Sequence, residues 1–227
     1  MRPNRTAAIA EGRARTVHSS VGVARVCKRR WRFRLFREEL VADKIAPLDR
    51  ATKGPFDVSE IGLLTPYLDF GAIRISPHPD MKIRADIDEK SKRVVALTLE
   101  VDSHRIQLQA FASTKNDGLW ATTMQALASG IASQGGQAEE LKGAIGPELH
   151  ASVPAIAGDT KVMRKSVFVG VDGPRWFLRG VMSGPELMGA NYERLIAIFR
   201  STAVNRGDVA MPPGDLLPLK LPTGENE

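Results

Sequence analysis

The stretch from Met81 to Ala112 alternates apolar and polar residues with a period of two, and that alternation restricts what the chain can fold into. Met81, Ile83, Ala85 and Ile87 alternate with Lys82, Arg84, Asp86 and Asp88. Asp88-Glu89-Lys90-Ser91 makes a turn. Val95, Leu97, Leu99 and Val101 then share one face, opposite Val94, Ala96, Thr98 and Glu100. Asp102-Ser103 leads into Ile106, Leu108, Ala110 and Ala112. Successive side chains on a strand point to opposite faces, and strands joined by such short turns pair antiparallel. The stretch predicts an antiparallel meander with one apolar face that other elements must cover.

Two helices are expected to do so. Trp120, Met124, Leu127 and Ile131 form one apolar stripe, with Asn116 or Asp117 as the cap and Gly135-Gly136 as the stop. The second helix spans about 185–199 and turns Leu187, Leu195 and Ile198 inward. Between them lie hairpins at 138–144 with 148–153, and at 166–171 with 175–182. A last short strand is expected at 203–206. Ala72–Ile75, followed by Pro77 and Pro79, reads as an edge strand. The fold class is α+β, a mainly antiparallel β-sheet flanked by two helices. The expected organisation is a basic arm over 1–53 with an amphipathic helix at 28–45, a linker at 54–67, one domain over 68–208 and a Pro-rich tail at 209–227.

Charge divides the chain in the same way. Residues 1–53 carry 14 Lys/Arg and 5 Asp/Glu, while residues 54–227 carry 18 and 21. The arm is thus +9 and the rest −3, which together make the net +6. An attraction to nucleic acid or an anionic surface belongs to the arm alone. One cysteine, Cys27, excludes an intramolecular disulfide and suits a cytoplasmic setting. No run reaches the roughly 18 apolar residues of a membrane span. No apolar segment of secretory-signal type opens the chain.

No catalytic pattern emerges. His18, His78, His104 and His150 are scattered without metal-ligand spacing, and no HExxH, GxSxG, GxGxxG or Walker-type loop is present. No catalytic residue, metal or cofactor is implied. Two candidate binding groups stand out. On a strand, Arg175, Phe177 and Arg179 share a face that fits an anionic ligand or a protein partner, because arginine forks carboxylates and phenylalanine buries area. The plainer alternative is a sheet face packed under a helix. In the arm, Lys28, Arg29, Arg30, Arg32, Arg34 and Arg37, with Trp31 and Phe33 among them, suit nucleic acid. The leading expectation is a non-enzymatic binding or protein-interaction module. The alternative is a nucleic-acid binder acting through the arm.

A family resemblance accompanies these residues. The runs Leu108–Ala112, Gly118-Leu119-Trp120, Gln134-Gly135-Gly136 and, above all, Asp172-Gly173-Pro174-Arg175-Trp176-Phe177-Leu178-Arg179-Gly180-Val181 resemble an actinobacterial family of unknown function, DUF3710. The resemblance covers roughly residues 68–222. It implies a cytoplasmic bacterial protein with no assigned activity, so no site residue is carried over. More loosely, the order of elements is similar to the fold shared by Mog1 and the PsbP proteins of photosystem II.

Overall fold

The computed structural model describes residues 42–62, 66–157 and 160–221. The alternating stretch forms β4 (Lys82–Ile87), β5 (Val94–Val101) and β6 (His104–Ala112). They follow β1 (Phe56–Asp57), β2 (Leu68–Asp69) and β3 (Ile73–Ile75), and a short helix α1 (Arg50–Lys53). After β6 come helix α2 (Trp120–Ser133), β7 (Gln137–Gly143), β8 (Gly146–Ala157), β9 (Thr160–Asp172) and β10 (Trp176–Ser183). Helix α3 (Ala190–Arg200) and β11 (Ala203–Val204) complete the order.

Seven strands make one antiparallel sheet in the order β4-β5-β6-β10-β9-β8-β7. Its register sorts the side chains into two faces. Leu97 lies opposite Leu108, Leu178 opposite Val171 and Met182 opposite Val167, and all of these are buried on one face. Helix α3 covers that face with Leu195, Ile196, Ile198 and Phe199. Helix α2 lies on the other face with Trp120, Met124 and Ile131, above Phe177, Leu149 and Ala151. The outcome is an α/β/α sandwich, as the two apolar stripes require. Two glycines let the helices approach. A Cβ at Gly170 would stand 2.4 Å from the Trp120 ring of α2, and one at Gly180 would stand 2.9 Å from the Phe199 ring of α3.

The small sheet is ordered β1-β11-β3-β2, with β1 parallel to β11 and the other pairs antiparallel. Strand β3 was expected at an edge, but it lies between β11 and β2. Pro77 and Pro79 follow the strand instead of interrupting it, so they remove no ladder hydrogen bond. Ile73, Ile75 and Val204 join the core on the α3 side.

Both ends of the domain are more extensively bonded than their composition suggests. Residues 42–47 form neither helix nor strand. Ala42 O accepts from Gly118 N at 2.7 Å, and Ile45 exchanges bonds with Asp172, so tertiary contacts take up the groups a helix would use. At the other end Leu217 N donates to Ala110 O at 2.8 Å, Ala72 N donates to Pro218 O at 3.2 Å, and Lys220 N donates to Phe70 O at 2.9 Å. The segment thus joins β6 to the turn before β3, and Leu217 is completely buried. Leu217→Ala should cost about 3 kcal/mol in urea denaturation, as buried leucine truncations do. Leu221→Ala, 55% exposed, should cost less than about 0.5 kcal/mol. Equal small losses would show that the tail is a dispensable appendage.

Candidate binding face

Helix α2 packs over β7, β8 and β9. On the same face, the half of the sheet formed by β4, β5, β6 and β10 carries no helix among the described residues. Alternation places Arg84 and Asp86 of β4, Thr98 and Glu100 of β5, Arg105, Gln107 and Gln109 of β6, and Arg179, Val181 and Ser183 of β10 on this open half. Arg164 and Ser166 of β9 border it. A hollow of about 330 Å³ lies over Arg84, Asp86, Thr98, Arg105, Gln107 and Arg164. A second, of about 490 Å³, continues it past Arg105, Arg164 and Ser183 to Asp102 and Lys165 at the sheet's end.

The charges in this trough are unevenly matched. Asp86 Oδ2 accepts from Thr98 Oγ1 at 2.6 Å and from Gln107 Nε2 at 2.7 Å, and Oδ1 lies 3.6 Å from Arg84 Nε. Glu100 pairs with Arg84 at 3.4 Å, and Asp102 pairs with Arg194 at 2.6 Å. Asp86 and Glu100 thus share the Arg84 cation, and Asp102 has Arg194. Arg105 Nε donates to Ser183 Oγ at 2.9 Å, which fixes the guanidinium without neutralising it. Among the described residues neither Arg105 nor Arg164 makes an ion pair.

The residues singled out from sequence do not converge on one spot. Phe177 is 2% exposed and stacks between Phe111, at 5.7 Å, and Trp120, at 5.9 Å. It belongs to the core under α2, because that helix covers its part of the face. Arg175 is exposed at the start of β10. Arg179 is half-buried beside the open half. Its guanidinium lies 5.4 Å over the Phe111 ring and donates to Gln109 Oε1, and burial lowers its pKa. The arm residues Lys28, Arg29, Arg30, Arg32, Arg34 and Arg37 lie outside the described residues. The trough arginines were missed because they sit on three separate strands. Their signal was the polar half of each alternating strand, which has no local motif.

A second polar cluster sits on the opposite face. Glu148 is 4% exposed. Its Oε1 lies 2.7 Å from His150 Nε2, and its Oε2 accepts from the Tyr192 hydroxyl of α3 at 2.6 Å. That hydroxyl accepts in turn from Ala144 N at 3.2 Å. Both carboxylate oxygens are thus satisfied, as a buried charge requires.

A family model described as "Protein of unknown function (DUF3710)" matches residues 54–227. No curated protein matches. Among solved structures, the solution structure of cyanobacterial PsbP (CyanoP) from Synechocystis sp. PCC 6803 is similar over 63% of this chain and 95% of that one, with 11% identity and a TM-score of 0.39. Among the described residues no helix is long and apolar enough to cross a membrane.

The Tyr192 phenol is pushed up to about 12, first by burial and then by its bond to Glu148. A phenol in an unfolded chain ionises near 10. The folded value is the higher, so this group's contribution to stability is whole below pH ~10 and is lost as pH rises through about 12. The chain has two tyrosines, Tyr67 and Tyr192. Absorbance titration of phenolate should show a step near 12 that disappears in Tyr192→Phe. An ordinary step for both phenols would contradict the buried bond.

Proposed function

We propose a binding role for this protein: the chain belongs to the DUF3710 family, and its open sheet half takes an acidic segment of a partner protein. The observation that carries this reading is the charge imbalance of the trough. Asp86 and Glu100 share Arg84, and Asp102 pairs with Arg194, whereas Arg105 and Arg164 have no ion pair among the described residues. Arginine offers planar, paired donors that match a carboxylate. The anchored Arg105 guanidinium is already oriented, which lowers the entropic cost of engaging one.

The shape supports a macromolecular partner. The two hollows share Arg105, Arg164 and Ser183 and form a continuous surface drawn from five strands and their turns. Small-molecule sites are mostly apolar, whereas charged and polar side chains dominate the lining of this trough. The buried acids Glu148 and Asp172 are bonded within the fold and take no part.

The test is photo-crosslinking in the native cell, with a photoreactive residue in place of Ser166 at the trough's edge. A discrete protein adduct should form, and Arg105→Glu with Arg164→Glu should reduce it several-fold. The charge-reversed side chains are exposed, so stability should change by less than about 0.5 kcal/mol. No adduct, or the same adduct in the charge-reversed protein, would contradict the reading.

A further inference from the structure

On the α3 side of the sheet, a cleft of about 750 Å³ lies between the outer strands β7–β9 and the loop from Gly184 to Met188. We infer that this cleft is a second binding site, meeting the trough at Lys165 and Gly184, and that it takes a small zwitterion with an apolar side chain, such as an amino acid or a short peptide.

The argument begins with register. His150 lies opposite Glu139 on β7 and opposite Val167 on β9. Ser152, two residues further along β8, lies opposite Lys165. Residues directly opposite share a face, and diagonal neighbours remain within reach of long side chains. Glu139, His150, Ser152 and Lys165 therefore present one polar patch, and all four line the cleft. Glu186, Leu187 and Met188 of the loop form the facing wall, and Met188 is 73% exposed.

Unmatched charges of both signs converge here. Among the described residues Glu139, Glu186 and Lys165 make no ion pair, although all line one cleft. A ligand carrying an amine and a carboxylate would satisfy both signs at once, the amine toward Glu139 and Glu186 and the acid toward Lys165. Leu187, Met188 and Val167 would cover its apolar part.

His150 adds a second group for the acid. Glu148 holds Nε2 at 2.7 Å, and Tyr192 holds Glu148 from the far side at 2.6 Å. The ring is thus fixed by a buried carboxylate, and Nδ1 has no partner among the described residues. An imidazolium donates through both nitrogens, one to Glu148 and the other to the ligand. The groups around the ring are Glu148 and Ser152 of β8, Glu139 of β7, Lys165 of β9, Glu186 of the loop and, beyond Glu148, Tyr192 of α3.

Titration of the full chain with L-leucyl-L-leucine, followed by calorimetry and ligand-detected NMR, tests this. Saturable binding is expected. N-acetylation or C-amidation of the dipeptide, each removing one charge, should weaken it about tenfold, as should Lys165→Met or Glu139→Gln, both on exposed side chains. Arg105→Glu should leave it unchanged, which separates this site from the trough. Absence of saturable binding, equal binding of the capped dipeptides, or full binding by Lys165→Met would overturn the inference.

Discussion

Asp172, 2% exposed at the end of β9, is bonded to two distant parts of the chain at once. Oδ1 accepts from Leu119 N at 2.8 Å, and Oδ2 accepts from Ile45 N at 3.0 Å and, more weakly, from Trp120 N at 3.4 Å. Its own N–H donates to Ile45 O at 2.8 Å. A helix leaves its first N–H groups without internal partners and concentrates positive potential there. Here a carboxylate from a distant strand fills that need. Burial raises the Asp172 pKa while the backbone donors oppose the rise. Lys44, which donates to Gly173 O and Pro174 O, brings a compensating cation nearby. One side chain thereby aligns α2 with β9 and holds the segment at 42–45 in place.

That alignment decides which half of the sheet face stays open. Trp120, fixed just after the cap, fills the space above Gly170 and stacks on Phe177, and its indole N–H donates to Pro147 O at 2.7 Å. Helix α2 is thus committed to the β7–β9 half of its face. The other half keeps polar side chains that a covering helix would have had to desolvate. Arg179 marks the boundary, with its guanidinium against the Phe111 ring and its Nε buried without a partner.

Much of the sandwich was legible in the sequence because period-two alternation and two apolar stripes are local signals. The meander, both helices and the hairpin through Asp172-Gly173-Pro174 follow from them. The cap of α2 was not legible. Asn116 and Asp117 are the natural candidates by position, but Asp117 bonds with Thr114, and the capping oxygen comes from Asp172, dozens of residues later. The role of the tail was only partly visible. Its leucines are a local sign of packing, but strand-like bonding of Leu217 to Ala110 depends on a partner far away in the chain. Of the expected face Arg175, Phe177 and Arg179, Arg175 precedes β10 while Phe177 and Arg179 lie two residues apart on it, and which part of that face a helix covers is a tertiary fact. The Glu148–His150–Tyr192 cluster joins a strand to a helix, so only Glu148 and His150, two residues apart, were near each other in sequence.

The central claim is that Arg105 and Arg164 are held open for an acidic partner while Arg179 is consumed by the fold. Arginine modification by phenylglyoxal, read residue by residue on the purified protein and in intact cells, tests it most directly. The account predicts that Arg105 and Arg164 react readily in the purified protein and are protected in the cell, and that Arg179 is inert in both. Equal reactivity of Arg105 and Arg164 in the two states, or their protection in the purified chain, would contradict it.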